Sequence, residues 1–165
     1  MERIEEFCNY YISFLRSLAI LHQNNHWRTR GHNFYGNHLL FDKLYHAAAD
    51  NSDLAAEKFI GVFSDDVLEL PLHYEYMHKI LKQFSNGNPV ETSLAAEKKF
   101  LEISKKLYDA LKEAGKLTLG CDDMIMSIAS KSEEAVYLLG QVEKTANKQE
   151  LKTATRKLFL KRLVR

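Results

Sequence analysis

The sequence predicts an all-α protein: a four-helix bundle with one crossover connection and a short helix inside that connection. Three observations carry this. Apolar residues recur every three or four positions through four long stretches. Only 2 prolines and 7 glycines interrupt 165 residues, too few for a turn-rich β fold. The one long connection, between the second and third stretches, has the length a crossover needs. With 45% hydrophobic and 27% charged residues, the chain has the composition of an ordinary globular domain with a single core.

The first helix is expected over about residues 3–28, with Ile4, Phe7, Tyr11, Phe14, Leu15, Leu18 and Leu21 on its inner face. Gly31 stands where such a helix would end. Asn33 is positioned to cap a second helix that runs to about Gly61. The apolar stripe of that helix reads Tyr35, Leu39, Leu44, Leu54 and Phe59, with Ala47, Ala48 and Ala49 at its centre. The link from Gly61 to Val90 contains Pro71, a short helical pattern from Tyr74 to Phe84, and the turn signal Ser85-Asn86-Gly87-Asn88-Pro89. A third helix is expected over Glu91–Ala114, and a fourth from Cys121 to Gln141 or slightly beyond. The division is then a bundle over residues 1–143 and a basic tail over 144–165, either a short helix or a mobile segment.

The net charge of +1 conceals an asymmetry. From Lys144 to Arg165 there are eight basic residues against the single acid Glu150. Removing these from the chain's 23 basic and 22 acidic residues leaves 15 against 21, an acidic body behind a basic tail. Such a body attracts cations and such a tail attracts anions. Cys8 and Cys121 have no metal-ligand spacing and fit a reducing compartment. No stretch approaches the roughly 20 apolar residues of a membrane-spanning helix. Glu2, Glu5 and Glu6 give the start of the chain the wrong charge for a targeting signal, so a cytoplasmic location is expected.

The chemically informative residues are His26, at the end of the first helix, and His38, Asp42, Asp53 and Glu57 on the second. His38 and Asp42 are one turn apart, as are Asp53 and Glu57. From Asp42 to Asp53 the helix makes three turns plus about 20°, so both pairs share a stripe. Along the axis, however, the same two residues are about 16 Å apart. Metal–ligand bonds to nitrogen and carboxylate oxygen are about 2.0–2.2 Å. One straight helix cannot wrap both pairs around one ion. Either the pairs serve separate purposes or a second chain supplies the missing half. Two copies packed antiparallel, with a two-fold axis near residues 47–48, would bring His38 and Asp42 of one beside Glu57 and Asp53 of the other, twice per dimer. The alanine run then falls at the crossing point. Two imidazoles and three carboxylates without a thiolate suit Fe(II), with Mn(II) and Zn(II) as competitors, and favour redox chemistry once iron is bound.

The segment His26-Trp27-Arg28-Thr29-Arg30-Gly31, Asn33-Phe34, His38-x-x-x-Asp42 and Asp53-x-x-x-Glu57-Lys58 resembles the signature of the Dps miniferritins, in the ferritin-like superfamily. All five ligand positions match with their spacing intact, and the resemblance extends over roughly residues 3–143. It implies a ferritin-like four-helix bundle assembled as a hollow dodecamer. It implies ferroxidase chemistry on iron (Fe2+/Fe3+), preferentially with hydrogen peroxide, at sites shared across two-fold axes, with ferric mineral stored inside. It implies a tryptophan beside the site, here Trp27, with a radical-quenching role. Some members also bind DNA through basic tails.

Other residues admit plainer readings. His22, one turn before His26, and His46, one turn after Asp42, are candidates for additional ligands, with supporting or interface roles the favoured reading. Glu75-Tyr76-Met77-His78 resembles half of a larger di-iron site, but it occurs once and is taken as chance. Asp122 and Asp123 either line a pore, as the family's acids near the last helix do, or simply suit a helix N-terminus. The basic tail either coats DNA without sequence preference, docks on its own shell, or meets another surface. A non-enzymatic DNA-binding or architectural bundle acting through this tail is the alternative function.

Overall fold

The structure is a computed structural model that describes the backbone of residues 2–163, and the side chains of residues 4–156 other than 66 and 150. Five α-helices follow in order: α1 (Glu2–Arg28), α2 (Phe34–Phe63), α3 (Leu70–Phe84), α4 (Pro89–Glu113) and α5 (Leu119–Leu163), with a 3-10 turn (Asp65–Leu68) before α3. α1 packs against α2, α3 and α4, while α5 closes the bundle against α4 and α2. α3, in the crossover, lies on α1.

The ends are set by local chemistry. Gly31, at φ +93°, turns the chain between α1 and α2, a conformation that glycine adopts without a Cβ penalty. Asn33 precedes α2 as expected, but its side chain bonds Asn37 instead of capping the backbone. Asn88 does cap α4, its Oδ1 accepting from Val90 N at 2.9 Å, and Pro89 follows in the first turn, where its missing N–H costs nothing. Gly115, at φ +65°, lets Lys116 N and Leu117 N return to Leu111 O and close the end of α4.

The core is aromatic at its centre. Phe100 of α4 is fully buried, with ring centroids 4.9 Å from Tyr11 and 5.7 Å from Phe14. Tyr11 also meets Phe59 of α2, and Phe14 meets Phe84 of α3. The α1 periodicity is matched: Tyr11, Phe14, Leu15, Leu18 and Leu21 are buried, and Ile4 and Phe7 pack against them. Cys8 and Cys121 are free thiols in this same core, and burial, with Cys121 nearby, pushes the Cys8 thiol up.

Two expectations are corrected. The inner face of α2 is Phe41, Leu44, Ala48, Asn51, Ala55 and Phe59, whereas Tyr35, Leu39 and Leu54 are exposed. Of the alanine run, Ala48 is in the core, Ala47 is half-buried, and only Ala49 faces outward. The fourth bundle helix also does not stop near Gln141. α5 runs 45 residues, about 67 Å at 1.5 Å per residue, and carries the basic segment as an unbroken continuation. From Lys144 to Arg156 every described side chain is exposed.

Replacing Phe100 with alanine is expected to cost about 3–5 kcal/mol in a denaturant titration, because α4 loses the ring that packs on both Tyr11 and Phe14 of α1. A second prediction concerns His73 of α3, buried with its Nδ1 3.5 Å from the Arg16 guanidinium. Burial holds its imidazole below the ordinary histidine pKa; the Val67 backbone raises it somewhat and the Arg16 charge lowers it. The unfolded chain therefore takes up this proton at higher pH than the folded one does. His73 costs no stability above its ordinary pKa of about 6.5, and destabilises progressively as pH falls from there toward the lowered value. Urea midpoints should decline across that window, and His73→Gln should flatten the decline.

Candidate metal centre

The turn between α1 and α2 brings two imidazoles face to face. The rings of His26 and His38 stack with centroids 3.7 Å apart at 25°. Each Nδ1 reaches the other residue's backbone: His26 Nδ1 lies 2.9 Å from His38 O, and His38 Nδ1 lies 3.3 Å from His26 O. A carbonyl only accepts, so both Nδ1 atoms carry the proton. In the neutral ring the lone pair then sits on Nε2, which is the ligand form of histidine. The clasp also satisfies the His26 carbonyl in the last turn of α1, which the helix itself leaves without a partner.

Aromatic neighbours hold the pair. Phe34 stacks on His38 at 5.2 Å, and Tyr45 stands edge-on to His26 at 5.6 Å. Tyr45 also donates its hydroxyl to Asp42 Oδ1 at 3.1 Å. Burial, reinforced by that hydrogen bond, pushes the Tyr45 phenol up, so it remains a donor. His46 lies against the Tyr45 ring at 4.1 Å, with its Nε2 3.9 Å from Asp42 Oδ1. Tyr45 and Phe34 had no assigned role in the sequence reading. The available signal for Tyr45 was its position three residues after Asp42, which a helix converts into contact.

Asp53 and Glu57 lie farther along α2, exposed, with no hydrogen bond or ion pair among the described residues. Together with Tyr35, Leu39, Asp42, His46, Ala49 and Asp50 they form the outward stripe of the helix. The flank of α2 is tied to α5 by Lys43–Glu134 at 2.6 Å and by Lys131 Nζ donating to Asn51 Oδ1 at 3.0 Å. Among the described residues of one chain, no three or more histidine, cysteine, aspartate or glutamate side chains gather closely enough to hold a metal ion. The single chain thus brings His26, His38 and Asp42 to one end of the stripe and leaves Asp53 and Glu57 at the other. Trp27, beside His26 in sequence, is 62% exposed.

His22 is neither a ligand nor an interface residue. It is fully buried, with Nδ1 3.1 Å from Ser93 Oγ and Nε2 2.8 Å from Glu97 Oε1. Ser132 of α5 donates to the other Glu97 oxygen. Asn25, one residue before His26, donates to Pro89 O, Thr92 Oγ1 and Ser93 Oγ. This buried polar network pins the last turns of α1, and with them His26, to α4 and α5. Elsewhere, Glu75 is engaged by Lys79, which lowers its carboxyl, and His78 is exposed, so this pair builds no site. Asp122 is half-buried in the first turn of α5 and Asp123 is exposed.

No family model matches the chain, and no curated protein matches it. Among solved structures, that of Dps from Microbacterium arborescens in the high iron form matches with a TM-score of 0.65 and 18% identity, over 82% of this chain and 89% of that one. The chain therefore has the ferritin-like four-helix fold of the Dps type.

His22→Ala should destabilise the protein by about 3–5 kcal/mol, because Glu97 would be left buried without its main partner. Denaturant midpoints measure this; a cost below about 1 kcal/mol would mean that the network is not what fixes α1.

Proposed function

We propose that the chain is the subunit of an iron-oxidising, iron-storing miniferritin. The reading rests on the His26–His38 clasp: two imidazoles locked as ligand tautomers, with Asp42 joined to them through Tyr45, at one end of a stripe that carries Asp53 and Glu57 at the other. Two such stripes packed antiparallel complete two sites, each with His26, His38 and Asp42 from one copy and Asp53 and Glu57 from its mate. The outward Tyr35, Leu39, Ala49 and Leu54 supply the apolar surface such a contact needs, and Ala49 gives the small side chain near its centre. The likeness in fold to a protein solved in a high-iron form supports the same reading.

Fe(II) is the substrate. Each of two Fe(II) ions gives up one electron, and one hydrogen peroxide accepts both. Its O–O bond breaks, and with two protons it becomes two waters. Taking both electrons at a paired site avoids the one-electron cleavage that would release hydroxyl radical. The Fe(III) product collects as ferric mineral inside a closed homo-oligomer of twelve subunits in the cytoplasm. Trp27, exposed beside the ligands, is the nearby donor for stray oxidising equivalents. Asp122 and Asp123 attract Fe(II) at the start of α5.

A second activity, binding DNA, is favoured by one observation. Lys144, Lys148, Lys152 and Arg156 repeat every fourth residue along the exposed end of α5, a row of cations that suits a phosphate backbone.

Protein given Fe(II) without oxygen and then peroxide should develop ferric absorbance rapidly. His26→Ala combined with Asp53→Ala should slow this phase by at least about a hundredfold; unchanged oxidation would reject the site. Deleting residues 144–165 should leave oxidation intact and abolish salt-sensitive retention of DNA in a gel shift.

A further inference from the structure

Asp42 is a half-exposed carboxylate on an outward helix face. The terminal torsion of an aspartate is broad and roughly two-fold, so sterics alone do not choose which oxygen it presents. One neighbour does. The Tyr45 hydroxyl donates to Oδ1 at 3.1 Å, a contact set by the i, i+3 spacing on α2. The Tyr45 ring is itself fixed on two sides, edge-on to His26 at 5.6 Å and 74°, and against His46 at 4.1 Å. Rotation of the phenol away from Asp42 would disturb both packings. Among the described residues the other carboxylate oxygen, Oδ2, has no hydrogen-bond partner.

We propose that Tyr45 is a positioning residue for the metal site: it engages Oδ1 of Asp42 so that Oδ2 alone is offered to the metal, and it keeps the His26 ring in register with that carboxylate. The inference rests on the metal-site reading above and deepens it. A carboxylate held in this way binds through one oxygen. Released, it can rotate and chelate through both, taking a coordination position that the oxidant would otherwise use. Tyr45 touches no metal itself and acts through Asp42.

Co(II) is a suitable probe, because its visible absorption reports coordination geometry without turnover. Full-length wild type, Tyr45→Phe and His26→Ala would be titrated with Co(II), with circular dichroism and thermal unfolding recorded in parallel. Phenylalanine retains the ring packing and removes only the donor, so folding and unfolding temperature should be unchanged. Tyr45→Phe should weaken Co(II) binding by about tenfold and alter the position or intensity of the visible bands. His26→Ala should lose the bands. A Tyr45→Phe titration and spectrum identical to wild type, with His26→Ala still losing the bands, would overturn the role of Tyr45 and leave the site standing. Absence of Co(II) bands in wild type, or their persistence in His26→Ala, would overturn the site and the positioning role together. Should Tyr45→Phe prove unstable, Asp42→Asn provides the second variant. Its spectrum should depart from wild type if Asp42 is a ligand, and an unchanged spectrum would remove the basis for Tyr45.

Discussion

At the junction of α1 and α2, each of two histidines donates its Nδ1 proton to the backbone carbonyl of the other. The exchange fixes three things together: the closure of the interhelix turn, the tautomer of both rings, and their stacking at 3.7 Å. Imidazole free in solution has either nitrogen protonated and any orientation. Here the backbone has made the choice, and the nitrogen left bare is the one farther from the main chain. Phe34 stacks on His38 and Tyr45 stands edge-on to His26, so rotating one ring means moving its neighbours.

Behind this clasp lies a buried network that makes it rigid. Asn25 and His22 reach from the last turns of α1 to Pro89, Thr92, Ser93 and Glu97 of α4, and Glu97 continues to Ser132 of α5. These bonds join α1 to α4 and α4 to α5 in the interior, so the network favours one arrangement of three helices over near alternatives, although Asn25 Oδ1 has no partner among the described residues. The two faces of α1 thereby divide the work. Its inner side is locked by hydrogen bonds within the core, and its end delivers His26 to the surface. α2 is divided in the same way, with Phe41, Phe59 and Ala48 inward and a mixed acidic and apolar stripe outward.

Much of this was legible in the residues. The helices and their order followed from three- and four-residue spacing, and the inner face of α1 was read correctly because α1 has a single apolar side. α2 was harder because it has two. Tyr35, Leu39 and Leu54 are as apolar as Phe41 and Phe59, and periodicity cannot tell a face turned to the core from one turned outward. The end of the last helix was missed for a related reason. Beyond Val142 no described side chain joins the core, and the helix's continuation depends on backbone geometry that composition leaves open. Asn33 has a capping residue's identity and position, yet its side chain found Asn37 first. His38, Asp42, Asp53 and Glu57 could be placed on one stripe from spacing alone, whereas the reciprocal backbone bonds and the hold of Tyr45 on Asp42 required the turn to be folded.

The 16 Å or so between Asp42 and Asp53 along a rigid helix is what makes a second copy necessary, and subunit mixing tests that necessity directly. One variant carries His38→Ala and Asp42→Ala; the other carries Asp53→Ala and Glu57→Ala. Each alone has only broken sites. When the two are unfolded, mixed in equal amounts and refolded together, half of the two-fold pairs are mixed, and each mixed pair regains one intact site of its two. Sharing across a two-fold axis predicts recovery of about a quarter of the wild-type fast iron oxidation. No recovery, in particles shown by mass spectrometry to contain both variants, would contradict it.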